Sequence, residues 1–345
     1  MRRTLTAYPR LHLGLLDTAG ISRRVYGGAG FSLDGPHMVI HAEPARRHTV
    51  EGGCLAPAEA RRLTGLLETA GLPATSLIVE RLPPRHVGLG TGTMLCLGTV
   101  AATAACHGLR LPPERLSLLS GRGGTSGIGW HAFWRGGFLV DCGQPNTGQA
   151  MRPSSAGAPR ESPPLSVALP IPRHWAFALL MPASGTSVSG TRERDFFAEH
   201  TPTPERECLC AFAALYHSIV PAVANADLRL LRDGLAEFQS LGLKKAEISC
   251  QPFSVRALLE TLHESGVPAG MSSLGPLVFA VHESGDAMSR SAILDAAERH
   301  GARIVASPRP RDFGHLMDGR TVTLPSGRAV PTPAPPLQAP AIPAP

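Results

Sequence analysis

Two glycine-rich stretches hold most of the residues that could do chemistry. The first runs Arg85-His86-Val87-Gly88-Leu89-Gly90-Thr91-Gly92-Thr93, with an apolar helix predicted directly behind it over residues 94–106. The second is Gly121-Arg122-Gly123-Gly124-Thr125-Ser126-Gly127-Ile128-Gly129. A glycine loop that opens a helix aims several backbone N–H groups at one point, where the positive end of the helix dipole also lies. Hydroxyls of Thr91, Thr93, Thr125 and Ser126 add donors, so the expected guest is an anion. A single glycine loop can be merely a tight turn. Two hydroxyl-bearing clusters so close together favour binding. No Gly-Lys-Ser/Thr ends the first loop, and Gly88-Leu89-Gly90-Thr91-Gly92 breaks the dinucleotide-binding spacing, so both common nucleotide loops are excluded.

These loops need strands and helices to hold them. Leu77-Ile78-Val79 reads as the strand feeding the first loop, and Gly137-Phe138-Leu139-Val140-Asp141 as the strand closing the second. Upstream, residues 1–17 read as one strand, 26–34 as a glycine-rich bend and 38–42 as a returning strand. Residues 57–70 form a helix opened by Pro57 and capped by Gly71. Residues 144–173, rich in Pro, Ser, Gly and Ala, read as an irregular connection. Beyond it come a buried strand over 175–181, a helix over 205–220, a second apolar stripe (Leu228, Leu231, Leu235, Phe238, Leu241) and a helix over 255–262. A third glycine loop, Gly270-Met271-Ser272-Ser273-Leu274-Gly275-Pro276, precedes a strand over 277–281, and a helix and strand over 291–306 follow. Strands first and interleaved helices later indicate an α+β fold. The Pro/Ala-rich tail, residues 331–345, is expected to be extended and disordered.

Composition sets bounds. The chain has 345 residues, 43% of them hydrophobic, enough for one large or two modest domains. A net charge of +6 comes almost wholly from arginine, since Lys244 and Lys245 are the only lysines. Arginine suits bidentate recognition of phosphate and carboxylate. The arginines are dispersed and aromatics make up 5%, which argues against a nucleic-acid reader. Apolar runs such as 175–181 fall short of a membrane span, and no apolar stretch follows Met1-Arg2-Arg3 as in a signal peptide. Seven scattered cysteines show no metal-ligand spacing and suit free thiols in the cytoplasm.

The order of Arg10-Leu11-His12-Leu13-Gly14, the central glycine loop and the late glycine loop resembles the GHMP superfamily of small-molecule kinases. More closely, the chain is similar to the β-ribofuranosylaminobenzene 5′-phosphate synthases of methanopterin biosynthesis. The likeness is carried by those three segments, by Gly121–Gly129, by Gly137–Asp141 and by Glu193-Arg194-Asp195-Phe196-Phe197, and it spans most of residues 5–310. It implies a GHMP-kinase-like two-lobed α+β fold. A ribosomal-protein-S5-like lobe would cover 1–150, the connection 151–173, a ferredoxin-like lobe 174–320 and the tail 321–345. It also implies a cytoplasmic homodimer.

The reaction so implied joins phosphoribosyl pyrophosphate to 4-aminobenzoate at the carbon bearing the carboxylate, with loss of CO2 and pyrophosphate. Mg2+ is the implied cofactor, neutralising the leaving group; its ligands are not assignable from the sequence. Substrate-binding residues would be Arg10, His12, Gly88, Leu89, Gly90, Thr91, Gly92, Thr93, Gly124, Thr125, Ser126, Ser272, Ser273 and Gly275. Asp17, Asp141 and Arg122 are the catalytic candidates, with Asp34 beside them for ion binding or cation stabilisation; each aspartate has a second reading as a turn cap. Arg135 is a further anion contact. His131, like His12, is a candidate for proton handling, with a structural hydrogen bond as the alternative. The kinases place a carboxylate after a Ser-Gly motif, and Ser126-Gly127-Ile128-Gly129-Trp130-His131 offers none. That favours a synthase over two other readings, an ATP-dependent kinase for a small alcohol and a non-catalytic ligand-binding paralogue. The synthases carry Gln and His where this chain has Met94 and Gln144.

Overall fold

The structure, a computed structural model, describes residues 1–153, 161–186 and 190–322. The segment expected as one strand over 1–17 is two, Arg3–Ala7 and Arg10–Asp17, which enter different sheets. Pro9 stands between them and has no N–H for a ladder. In the first sheet Arg3–Ala7 pairs with Met38–Pro44, which pairs with Thr75–Arg81, and Thr49–Glu51 joins in parallel at the edge. In the second, Arg10–Asp17 pairs with Arg24–Ser32, then Phe138–Asp141, then Leu165–Leu169, all antiparallel.

Arg24–Ser32 corrects the expected glycine bend over 26–34. It is a strand whose glycines allow close approach, since a Cβ at Gly30 would stand 2.2 Å from the Leu11 carbonyl oxygen and one at Gly28 would stand 2.8 Å from His12 Nε2. Glycine is generally poor in strands but is admitted where another chain segment comes this near. The connection expected to be irregular over 144–173 likewise contributes the strand Leu165–Leu169. Residues 154–160 of it lie outside the described residues, as does the tail expected over 331–345.

The C-terminal lobe is built on the antiparallel strands Ala269–Met271, Val278–Glu283, Trp175–Pro182 and Ala302–Ala306, in that spatial order. Helices follow the apolar stripes: Leu228–Gln239, Phe253–Glu264 and Ala287–Arg299. Residues 205–225 form one continuous helical run that is long and apolar enough to cross a membrane, with mean hydropathy 1.5, contrary to the expectation that no run reaches that length. Here Ala211, Leu215, Ile219, Ala222 and Val223 enter the core shared by both lobes. The run widens to a π turn over Leu215–Ile219, just before Pro221, whose missing N–H cannot continue the α ladder. Phe31 lies 4.9 Å from Phe138 and 5.5 Å from Phe177, ring centre to ring centre, which joins the second sheet to the C-terminal one.

The boundary expected at residue 320 is corrected as well. Leu316–Met317 pairs with Arg3–Ala7, and Arg320–Thr321 adds outside it. Buried Arg311 donates from Nε to the Leu33 carbonyl at 3.0 Å and from Nη2 to that of Ala132 at 2.9 Å. The chain thus returns to the lobe in which it started.

Candidate active site

The helix Thr91–Cys106 is apolar on every side, and nearly all of it is buried against the first sheet. Such a helix is placed by its core and not by one face. Its N-terminal end opens on a cavity. Gly90 precedes it at φ 74°, a left-handed conformation that glycine adopts without a Cβ penalty. Gly88, Gly90, Thr91, Gly92 and Thr93 line this cavity together with Arg10, Arg85, His86 and Arg122. The first-turn N–H groups have no partner within the helix, so the end is a ready donor set. The Thr91 hydroxyl is turned away and donates to the Pro84 carbonyl at 2.8 Å. Leu89 corrects its assignment as a contact residue. Its side chain is core, and its carbonyl accepts from Arg10 N at 3.3 Å.

Arg10 reaches the loop from below. Its Nη1 donates to the Gly88 carbonyl at 2.6 Å, its Nε has no partner, and burial lowers its pKa to about 10. The C-terminal lobe closes the other side. Ser272 Oγ donates to the same Gly88 carbonyl at 2.7 Å and accepts from His12 N at 2.9 Å. Ser273 N donates to the His12 carbonyl at 2.8 Å, and the Ser273 carbonyl accepts from Lys244 Nζ at 2.7 Å. Ser273 and Gly275 line the cavity, whereas Ser272 ties the lobes together. A Cβ at Gly88 would stand 2.3 Å from the Ser272 carbonyl oxygen, so this seam requires glycine.

An adjoining cavity shares Arg10, Thr93, Arg122, Glu193, Ser273 and Leu274 with the first, and adds His12, Thr125, Ser126 and Glu247. Leu15, Phe197 and Leu274 supply its apolar wall. His12 is buried with Nε2 unpartnered, and burial, helped by Arg10 and Lys244, holds its pKa well below the usual histidine range. It is therefore neutral at physiological pH. Ser126 Oγ donates to Asp141 Oδ2 at 2.8 Å, and Gly143 N donates to Asp141 Oδ1 at 2.8 Å. Burial raises the Asp141 carboxyl to about 6 despite those bonds. The expectation that no carboxylate stands near Ser126 is thus corrected, because Asp141 comes from the neighbouring strand. It reaches the cavity only through Ser126.

Several expected residues sit elsewhere. Asp17 is a turn cap: Oδ1 accepts from the backbone N–H groups of Ala19, Gly20 and Ile21, and Oδ2 from that of Ser22. Its catalytic assignment is corrected, since both oxygens are engaged in a buried loop. Asp34 accepts from Arg309 N at 2.8 Å, and Arg135 is exposed at the end of the helix Ile128–Trp134. His131 Nε2 is 2.8 Å from the Pro163 carbonyl, and burial lowers its pKa to about 4, which makes it structural. Gly124 faces a separate cavity beside Gln144 and Tyr26.

The sequence reading missed Glu193, Lys244 and Glu247. Lys244 and Glu247 form a buried ion pair on the short helix Gly242–Ser249, and burial lowers the Lys244 pKa while Glu247 opposes that shift. A lysine and a glutamate three apart on a helix look like an ordinary surface pair. Glu193 lay in a quoted motif with nothing local to mark it. Among the described residues no group of three or more His, Cys, Asp or Glu is placed to hold a metal unaided.

A family model described as GHMP kinases C terminal matches residues 219–303. The beta-ribofuranosylphenol 5'-phosphate synthase of Methanothermobacter thermautotrophicus is 32% identical over 284 residues, covering 79% of this chain and 86% of that protein. The enzyme of the same name from Methanocaldococcus jannaschii is 32% identical over 293 residues, covering 79% of this chain and 87% of its own length. Phosphomevalonate kinase of Streptococcus pneumoniae shares the fold at a TM-score of 0.65 and 12% identity, over 90% of this chain and 99% of that one. Homoserine kinase of Cytophaga hutchinsonii does so at 0.61 and 15%, over 92% and 97%.

Proposed function

The chain belongs to the beta-ribofuranosylphenol 5'-phosphate synthase family, and from that premise we propose a decarboxylating ribosyltransfer from phosphoribosyl pyrophosphate to a para-substituted benzoate. The observation that carries the reading is the pairing of two unlike ends in one continuous site. One end has Arg10, Arg85, Arg122 and a helix N-terminus; the other has an apolar wall and a neutral histidine. The first suits the phosphates of the donor. The second suits an aromatic ring with a polar substituent.

In the reaction, the bond from ribose C1′ to the pyrophosphate oxygen breaks and the arginine-lined end takes the leaving charge. The ring carbon bearing the carboxylate bonds to C1′. Its bond to the carboxylate then breaks, CO2 departs, and the electron pair restores the aromatic ring. The relatives are named for a phenol product, which supports 4-hydroxybenzoate as the acceptor and 4-aminobenzoate as its competitor. Neutral His12 would take the phenolic proton through Nε2 and return it to the product, raising electron density at the carbon that attacks. An aniline N–H can only hydrogen-bond there.

Mg2+ fits as part of the same proposal. Glu193 lines both cavities, and a magnesium site of one or two carboxylates completed by substrate phosphates is ordinary. Bound there, the ion would neutralise charge on the departing pyrophosphate. A cytoplasmic homodimer completes the proposal, and light scattering on the purified protein checks the oligomer.

A kinase reading draws support from the Ser126–Asp141 pair, since a carboxylate behind a hydroxyl could serve an acceptor alcohol. Family membership outweighs it. Incubation with phosphoribosyl pyrophosphate, Mg2+ and either benzoate, read by mass spectrometry, tests the proposal. A ribosylated, decarboxylated product is expected. ATP consumption driven by a small alcohol, with no such product, would replace this reading with the kinase one.

A further inference from the structure

Behind the arginine-lined end lies a polar network in which Glu59, Arg62 and Cys96 stand outside the two cavities while Arg85 and Arg122 line them. Glu59 stands in the first turn of the helix Pro57–Thr69 and is 4% exposed. Its Oε2 is paired with Arg85 Nη1, and its Oε1 accepts from Arg62 Nη2 at 3.3 Å. Arg62 Nη1 in turn donates to Cys96 Sγ at 3.4 Å. Cys96 lies on the loop-bearing helix and is 1% exposed. Burial raises the Cys96 pKa, but the positive charge of Arg122 and of Arg62 outweighs it and the net shift is downward. Nη2 of Arg122 would also lie 3.3 Å from a Cβ at Gly92, which puts its guanidinium beside the loop.

We infer that Glu59 is a positioning residue for the anion site. It orients Arg85 directly and Arg122 through Arg62 and Cys96, so the two cavity arginines are aimed by one buried carboxylate that never meets the ligand. Three guanidinium groups converge on a single carboxylate and a thiol. The surplus positive charge faces the cavity, which is the arrangement a polyanion would complete. A buried acid with no other role would be an expensive way to anchor a surface helix. The inference rests on the donor reading of the cavity for the identity of the anion, and on the contacts of Glu59 with Arg85 and Arg62 and of Arg62 with Cys96 for the existence of the network.

The test uses the full chain, with Mg2+ and inorganic pyrophosphate as the probe, titrated calorimetrically against wild type, E59Q, E59D and R62M. Glu59→Gln should weaken pyrophosphate binding about tenfold and raise the donor KM by the same factor, with kcat and the acceptor KM within about twofold. Glu59→Asp keeps the charge and should recover part of the affinity. Arg62→Met cuts only the arm to Cys96 and should lose less than E59Q; it also stands in if E59Q fails to fold. Pyrophosphate affinity in folded E59Q equal to wild type would overturn the positioning role while leaving the donor reading intact. So would equal losses in E59Q and E59D that follow melting temperature and lower every kinetic constant together. Wild type that does not bind pyrophosphate would sink the donor reading and the inference with it.

Discussion

Around Gly88–Thr93 the site is lined by Arg10, Arg85 and Arg122 and by a helix end whose donors are backbone groups. A short distance away, around Leu15, Phe197 and Leu274, the wall is apolar, and beside the arginines and glutamates at its edge stand a neutral histidine and a serine backed by Asp141. The first region recognises charge wherever it is offered. The second recognises shape and one proton. A transfer between a polyanionic donor and an aromatic ring needs both, side by side and differently solvated, and the shared residues Arg122, Thr93 and Ser273 mark where they meet.

The largest effect should come from filling the charged region without disturbing the fold. Within 4 Å of its added Cβ, Gly92 would meet only Arg122 Nη2, so Gly92→Val should fold and yet block the helix end. A loss of about 100-fold in kcat/KM for the donor is expected, with the acceptor still bound, as read by kinetics and fluorescence titration. Gly88→Val would not isolate this effect, because φ of 107° and the Ser272 carbonyl would make the side chain force the lobes apart.

His12→Gln should strike the other region. It should lower kcat with 4-hydroxybenzoate by about 10- to 100-fold while leaving the donor KM within about twofold. With 4-aminobenzoate, from which no proton is taken, the loss should be smaller. Equal losses with both acceptors would show that His12 packs and does not accept a proton.

Asp141 gives the comparison a pH dependence. As pH falls through about 6 its carboxylate is protonated and stops orienting Ser126, so kcat should fall along an acid limb centred near that value. Asp141→Asn should flatten the limb. The stability sign is opposite. A carboxyl titrating near 6 when folded and near about 4 when unfolded lets the unfolded chain ionise first, so this group favours the fold at low pH and loses that contribution as pH rises from about 4 to about 6. Asp141→Asn should therefore melt no lower than wild type near pH 7. A large drop in melting temperature would mean that the carboxylate stabilises the fold. The smallest change is Leu15→Ala, which should raise the acceptor KM about fivefold, in line with about 1 kcal/mol of lost apolar contact, and leave the donor KM alone.

Much of this layout could be read from the chain, for identifiable reasons. The helix predicted over 57–70 is Pro57–Thr69, since proline at its start and leucines at helical spacing are local signals. The Leu228 to Leu241 stripe likewise became Leu228–Gln239. The glycine loops named the charged region, because backbone donors at a helix end depend on adjacent residues only. Of the apolar region the chain declared His12 and Ser126 but not the wall, nor that a carboxylate stands behind Ser126. His12, Ser126, Phe197 and Leu274 come from four parts of the chain, and Asp141 meets Ser126 across a strand pairing that no spacing rule foretells. Asp17 misled for the same reason: a buried aspartate at a strand end reads alike whether it caps a turn or faces a substrate. Glu59 was invisible because its partners, Arg62, Arg85 and, through Arg62, Cys96, acquire meaning only once the helix Thr91–Cys106 is in place.

The claim at the centre is that carbon–carbon bond formation ejects the acceptor's carboxylate as pyrophosphate leaves. Benzoate acceptor carrying label in its carboxyl group, turned over with phosphoribosyl pyrophosphate and Mg2+, should release the label as CO2 in a one-to-one ratio with pyrophosphate, with ATP neither required nor consumed. Label retained in a ribosylated product would place the new bond at oxygen or nitrogen and contradict the account.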